Sequence, residues 1–495
     1  MVRLGAALRP RSVALRTGDG GVRKDLILAI GYLEAGLDAA AAEAAGAVLA
    51  ADPGDADALF VRGCALERLD RLAEAVPDLE AAAAARPGDA AVRHACGLAL
   101  YRHGRAADAL AHLEAAARAD ARVDFAETLG TCLMTLLRPD DAEPHLRRVA
   151  EERAGNATAW ANLAACLVDL NRCEEARDAC ARALALAPDD VEAHMSRAFA
   201  DLLAGDWRAA WPEYEWRWKR KAFVEAYPAS GLPRWRGEPL PAGGRLWVRG
   251  EQGLGDHIQF ARFVGRAAAA AGVPAVVSAP PVLHRLLGAV DGVAEVFASA
   301  PPGCVAEIPM MSLPGVFALA PDGDFGRFPY LSAPAAPRLP EAPGRLRIGV
   351  VWGDKPKPRS RSIDPGLIAA ALDGLGLAVY SLQADSRACD IPPGSGWIDL
   401  APLIRDFADT AALIAQMDAV VSVDTAALHV AGGLGVPVYV LLVKGADWRW
   451  MRDRPDTPWY PSARLLRQET ARDWSVPLAR LRAALSPGSS AARAG

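Results

Sequence analysis

Residues 419–443 read AVVSVDTAALHVAGGLGVPVYVLLV. The run is long and apolar enough to pass for a membrane span in a hydropathy scan. Asp424 and His429 interrupt it, glycine and proline break it, and both of its ends are rich in β-branched residues. It therefore reads as a strand (420–424), a turn, a helix (425–435) and a second strand (436–442). The same alternation extends upstream. GRLWVRG (244–250) reads as a strand, HIQFARFVGRAAAAAG (257–272) as a helix and PAVVSAP (274–280) as a strand. After the Pro-rich PAAPRLPEAPG (334–344) come a strand at 345–353, a helix at 365–376, a strand at 377–383 and a helix at 409–419. Strand–helix alternation on both sides of a Pro-rich connection implies two open parallel-sheet lobes. In such sheets ligands sit beyond the carboxyl ends of the strands.

Residues 22 to about 220 have a different texture. Ala29, Gly63, Gly97, Gly130, Ala164 and Ala198 recur every 33 or 34 residues, and alanine follows each by twelve: Ala41, Ala75, Ala109, Ala142, Ala176 and Ala210. Pro53, Pro87 and Pro188 hold the turn position in three units. Small residues on paired helices let the axes approach, and proline ends each pair because it cannot continue helical hydrogen bonding. Period and residue types resemble the tetratricopeptide repeat, an α-solenoid whose concave face commonly takes a protein segment. Asn162 stands alone at its register, with Ile27, Val61, Ala95, Thr128 and Ser196 at the matching places, so no asparagine ladder for clamping a peptide backbone is expected. The tryptophans that begin at Trp207, in DWRAAWPEYEWRW, read as capping helices and a packing joint.

Composition narrows the function classes. The 495 residues exceed what one core organises, and 52% hydrophobic with 23% charged residues fits a folded soluble protein. A net charge of -5 lacks the basic excess of a nucleic-acid binder. The eight cysteines contain no CxxC pair and no zinc spacing, which suits small buried residues in a reducing compartment. Residues 1–21 are Arg-rich without an apolar run, so a cytoplasmic location and no membrane span are expected.

Four turns could carry chemistry. Arg249-Gly250-Glu251-Gln252-Gly253-Leu254-Gly255-Asp256 leaves a strand and opens a helix. Its glycines allow backbone N–H groups to face an anion, and Asp256 reads either as a functional carboxylate or as a helix cap. Asp424-Thr425-Ala426-Ala427-Leu428-His429 sets a hydroxyl and an imidazole one helical turn apart on one face. A lone histidine on an alanine-rich helix is more often a core residue than a functional one, and His429 on its own reads so. The third turn, 354–362, holds Lys355, Lys357, Arg359 and Arg361 beyond a strand end, which suits a phosphate. The fourth, Asp447-Trp448-Arg449-Trp450 with Thr457-Pro458-Trp459-Tyr460-Pro461, is an aromatic platform or a packing corner. Asp322-Gly323-Asp324 lies in a connector and is given no metal-binding role.

Taken in order, YEWRW, GEQGLGD, MSLP, RSI, SLQ, SVDTAALHVAGGLGVPV, DWRW and TPWYP followed by RQ resemble bacterial GT-B glycosyltransferases of the family 9, heptosyltransferase-like group. The likeness is to the variant fused to N-terminal tetratricopeptide repeats. It implies a tail (1–21), a solenoid (22–222), an acceptor lobe (223–338), a nucleotide-sugar donor lobe (339–485) and a second tail (486–495), the two lobes being Rossmann-like α/β modules. It also implies a metal-independent, inverting transferase with no cofactor beyond the nucleotide-sugar co-substrate. Asp256 matches the family's general base. Gly253, Gly255, Lys355, Arg361, Ser362, Gln383, Asp424, Thr425 and His429 match donor and phosphate positions. Ala426 stands where the family usually has glycine, and His257 where a smaller residue is common. The attached repeats favour a protein acceptor, flagellin among relatives of this layout. The alternatives are a surface-glycan or lipid-linked saccharide acceptor, or a non-catalytic repeat scaffold carrying a silent GT-B domain. The sequence does not specify an oligomeric state.

Overall fold

The computed structural model describes residues 22–335, 338–339, 342–353 and 361–486. The chain forms two compact units that divide between Ser196 and Arg197. The first is a run of helices: α1 (Val22–Glu34), α2 (Asp38–Ala51), α3 (Ala56–Arg68), α4 (Leu72–Ala85), α5 (Ala90–Arg102), α6 (Ala106–Ala119), α7 (Val123–Thr135), α8 (Pro139–Glu152), α9 (Ala157–Asp169), α10 (Cys173–Leu186) and the start of α11 (Val191–Ala204). The division thus falls inside the sixth repeat, upstream of the boundary at 222 expected from the period.

Local chemistry starts and stops these helices. Proline follows the end of α2, α4 and α10, and two residues later Asp55, Asp89 and Asp190 accept hydrogen bonds from the first backbone N–H groups of the next helix, at 2.8–3.2 Å. At the three glycine positions of the first helices a leucine packs in beside the second small residue. A Cβ on Gly63, Gly97 or Gly130 would lie 2.6–2.8 Å from the side chain of Leu79, Leu113 or Leu146, sixteen residues on. The alanine twelve residues on contributes its carbonyl, with Ala75 O at 3.4 Å and Ala109 O at 3.3 Å from those Cβ positions. In these three units a leucine seated in a glycine hole, with the alanine backbone beside it, sets the close approach. None of the cysteines forms a disulfide, five of them are buried, and burial pushes the Cys64, Cys96 and Cys166 thiols up to about 12.

The second unit is α/β. It opens with the rest of α11, α12 (Trp207–Tyr214) and α13 (Lys221–Ala226). The first sheet contains β1 (Arg245–Arg249), β2 (Ala275–Ser278), β3 (Val293–Phe297) and β4 (Cys304–Pro309), parallel and in the order β3-β2-β1-β4. Its helices are α14 (Leu254–Phe260), α15 (Val264–Ala271), α16 (His284–Leu287) and α17 (Leu313–Val316). The second sheet contains β5 (Arg347–Val351), β6 (Ala378–Ser381), β7 (Ile398–Asp399), β8 (Ala419–Val423), β9 (Val438–Leu442) and β10 (Ala463–Arg467), parallel and in the order β10-β9-β8-β5-β6-β7. Around it lie α18 (Pro365–Leu372), α19 (Phe407–Ile414), α20 (Ala426–Leu434) and α21 (Ser475–Leu485). Every residue of β8 and β9 is buried, which requires cover on both faces of the sheet.

Two details depart from expectation. The helix expected over 257–272 is broken by a 3₁₀ turn at Ala261–Phe263, where the Arg262 guanidinium donates to the Trp459 carbonyl at 2.6 Å. β3, β4, β7 and β10 lie outside the expected strands; β3 and β7 are too exposed to carry an apolar signal. The tryptophans from 207 onward are largely core. Trp207 stacks on Trp459 at 5.0 Å, and Trp211 meets Trp448 edge-on while its indole N–H donates to the Leu319 carbonyl.

Strand order reverses between β1 and β4 in one sheet and between β5 and β8 in the other. Such switch points open crevices at the carboxyl ends of the strands. Among the described residues no helix is long and apolar enough to cross a membrane, and no group of three His, Cys, Asp or Glu is placed to hold a metal ion. Part of the Pro-rich connection, 336–337 and 340–341, lies outside the described residues.

Candidate functional site

The turn that leaves β1 is held from behind. Arg217 is fully buried and grips Glu251 with two parallel hydrogen bonds, at 3.0 and 2.8 Å. It also donates to Ser312 Oγ at 2.7 Å and to Glu215 at 2.8 Å. Burial opposes the Arg217 charge, but the Glu251 and Glu215 carboxylates outweigh it and hold its pKa above the usual arginine value. The YEWRW, GEQ and MSLP segments are thus one buried ionic network. Gln252 then takes a left-handed conformation, φ +63°, and Gly253 caps α14. Asp256 accepts the Gly253 N–H at Oδ2, 2.7 Å, so its role as a cap is realised.

α14 lies against α20, which opens where β8 ends. A Cβ on Gly255 would sit 2.7 Å from His429 Cδ2 and 3.6 Å from the Ala426 Cα, so only glycine admits this approach. Asp424, just beyond β8, accepts from Arg361 Nη1 at 2.6 Å. Burial raises the Asp424 pKa against the pull of Arg361. Thr425 occupies the N-cap position of α20 and shares a 3.2 Å contact with Ser422 Oγ. His429 is buried, stacked on Trp450, with Nδ1 2.9 Å from the Tyr460 hydroxyl. Burial first, and the Arg449 charge second, hold its pKa well below that of free histidine, so it is neutral at pH 7.

Arg449 joins the two turns. Its guanidinium donates to Asp256, to Asp447 at 2.7 Å and to Gln259 at 2.9 Å. The resulting cleft has a volume of about 310 Å³. Gly253, Gly255, Asp256, Arg361, Asp424, Thr425 and His429 all line it, together with Asp447 and Arg449. The first N–H groups of α20 have no partner within the helix and add donors there. The cleft therefore offers two guanidinium groups and a helix start to an anion, with carboxylates beside them to take a proton.

Two further positions, Ser362 and Gln383, fall elsewhere. Ser362 Oγ accepts from Arg387 at 2.5 Å. Gln383 is buried behind the strand ends, where its Oε1 accepts the Trp352 and Gly353 N–H groups at 3.1 and 3.0 Å and its Nε2 donates to Asp385. That is the work of a brace between β5 and β6. Lys355 and the rest of 354–360 lie outside the described residues. Sequence reading assigned no role to Arg449 or Asp447. The available signal was two charges set among tryptophans in DWRW, and it left packing corner and binding surface equally open.

A second cavity of about 660 Å³ opens at the carboxyl ends of β1, β2 and β3. Gln252 lines both cavities, while the neighbours Asp256 and His257 line one each.

Models of the tetratricopeptide repeat match residues 28–91 and 137–198. The N-terminal helix pairs are tetratricopeptide repeats. Protein FlbA of Caulobacter vibrioides (strain ATCC 19089 / CIP 103742 / CB 15) is 26% identical over 446 residues, covering 73% of this chain and 72% of FlbA. Among solved structures, MamA (MSR-1 C2) is 25% identical, covering 34% of this chain and 95% of its own, with a TM-score of 0.31. YrrB, a TPR protein with an unusual peptide-binding site, is 20% identical over 38% of this chain and 95% of its own, with a TM-score of 0.32. Pseudomonas aeruginosa pilF is 19% identical over 42% and 93%, with a TM-score of 0.34.

Proposed function

We propose that the α/β unit is a GT-B glycosyltransferase that moves a sugar from a nucleotide-activated donor to a hydroxyl, and that the tetratricopeptide repeats recruit the acceptor, a protein. The observation that carries the reading is the 310 Å³ cleft, in which the Gly253–Asp256 turn and the Asp424–His429 turn face one another across Arg449. A leaving nucleoside phosphate gains charge as the glycosidic bond breaks. Guanidinium groups and helix N–H donors already in place stabilise that charge without rearranging, and do so without a metal. Each Asp256 oxygen accepts one hydrogen bond and keeps a further lone pair, so the carboxylate can take the proton of an attacking hydroxyl. Attack on the face opposite the phosphate inverts the anomeric centre.

The test is thermal stabilisation of the full chain by CMP, UDP, GDP and ADP, followed by transfer assays with the matching sugar nucleotides. A nucleotide at about 100 times its dissociation constant adds about 2.7 kcal/mol. One of the four is expected to bind selectively. Asp256→Asn keeps an acceptor for the Gly253 N–H and should retain nucleotide binding while transfer falls about 10²–10⁴-fold. No shift with any nucleotide would remove the transferase reading and leave the repeats as the working part.

A further inference from the structure

The larger cavity has no assigned occupant, and the chemistry of its wall is specific. His257 is buried, and its Nδ1 lies 2.8 Å from the Gly253 carbonyl oxygen. A carbonyl can only accept, so Nδ1 carries the proton and Nε2 keeps a lone pair. Burial holds the His257 pKa below that of free histidine, which keeps the ring neutral at pH 7. Nε2 lies over Gly250, where a Cβ would come within 2.2 Å of it, and His257 lines the cavity. Tyr227 stands on the same wall. Its oxygen accepts the Gln252 N–H at 2.5 Å, leaving the phenolic proton to donate. Among the described residues lining the cavity, Arg249 carries the one full charge. Its guanidinium donates to the Pro228 carbonyl at 2.9 Å and lies 3.7 Å from the Glu307 carboxylate, which offsets its charge.

An acceptor lone pair and a phenolic donor, with the lone cation's charge offset by Glu307, suit a neutral group that both gives and takes hydrogen bonds. An anion would meet the Nε2 lone pair with its own. We propose that this cavity binds a neutral, hydroxyl-bearing ligand and that His257 selects it by accepting a hydrogen bond at Nε2. In the transferase reading, on which this rests, His257 is a specificity residue that holds an acceptor hydroxyl other than the attacking one and favours an uncharged substrate over a phosphorylated one, while Asp256, on the phosphate cleft, takes the proton of the attacking hydroxyl.

The test uses the full chain labelled with ¹⁵N-histidine, the His257 signals being assigned by their loss in His257→Gln. Two probes are titrated: N-acetylserinamide, neutral with one hydroxyl, and its O-phosphorylated counterpart. The unliganded protein should show His257 protonated at Nδ1 and bare at Nε2. The neutral probe should shift the Nε2 resonance, and the phosphorylated probe should bind more weakly. His257→Phe should weaken the neutral probe about fivefold to tenfold, the loss of one hydrogen bond. A proton on Nε2, tighter binding of the phosphorylated probe, or an unchanged affinity in His257→Phe would each overturn the assignment. The first two readouts use the wild-type chain and do not depend on the variant folding. CMP and UDP titrations of the same sample test the transferase reading separately: nucleotide binding together with no response of His257 to the neutral probe refutes this inference alone.

Discussion

Replacing Arg217 by methionine tests whether the buried ionic network positions the Gly253–Asp256 turn. Arg217 and Glu251 are inaccessible to solvent, with side-chain exposures of 2% and 0%. Without the guanidinium, Glu251 keeps only the Met311 N–H, at 3.1 Å, as a partner for a charge it cannot expose to water. Breaking such a pair from one side costs about 3–5 kcal/mol. At about 2–4 °C per kcal/mol, the melting point of the α/β unit should fall by roughly 6–20 °C. Tryptophan fluorescence isolates that unit, because twelve of the 13 tryptophans lie at or beyond residue 207. The double variant Arg217→Met/Glu251→Leu removes both charges and should recover at least half the loss, since a buried pair contributes little beyond an apolar replacement. Nucleotide stabilisation should weaken in Arg217→Met, because the turn loses its support. A loss below about 1 kcal/mol, or a double variant less stable than the single one, would refute the reasoning.

Other outcomes follow from single contacts. Gly255→Ala gains about 1 kcal/mol of helix propensity but forces a Cβ to 2.7 Å from His429 Cδ2, an overpacking cost of about 1–3 kcal/mol. It should weaken nucleotide stabilisation, and wild-type binding in this variant would show that His429 and α14 are not pressed together. Gly97→Ala, with its Cβ 2.6 Å from Leu113, should destabilise the repeats when followed by far-ultraviolet circular dichroism. In a Leu113→Ala background, itself destabilised by the lost packing, Gly97→Ala should carry no further penalty. His94 is buried against Phe125, and its Nε2 pairs with Thr128 Oγ1 at 2.9 Å. Burial, with help from the Arg122 charge, lowers its pKa to about 3. The unfolded chain binds that proton near pH 6.5 and the folded one does not, so repeat stability is complete above about pH 6.5 and falls by up to about 1.4 kcal/mol per pH unit toward pH 3. His94→Phe should flatten this acid limb in urea titrations, and an unchanged slope would contradict it.

Several parts of the site were legible because they are written locally. Gly253 and Asp256 lie three residues apart, as a helix cap must, and Thr425 and His429 lie four apart, as one helical face requires. Gln383 shows the limit. SLQ marks a strand end correctly, but whether the glutamine faces a ligand or its own backbone depends on β5, thirty residues away in the chain. Ser362 has the same dependence, since its contact with Arg387 lies 25 residues on.

The period of 33–34 residues, the strand–helix alternation and the positions of the glycine-rich turns follow from the sequence alone, because helix pairing, β-propensity and capping act between near neighbours. Tertiary structure decided which turns meet. Asp256 and Arg449 are 193 residues apart, His429 and Tyr460 are 31 apart, and Arg217 and Glu251 are 34 apart. Contacts at such separations leave no periodicity. They form only when sheet order brings the strand ends together, and burial then makes each unpaired charge or lone pair costly enough to fix its partner.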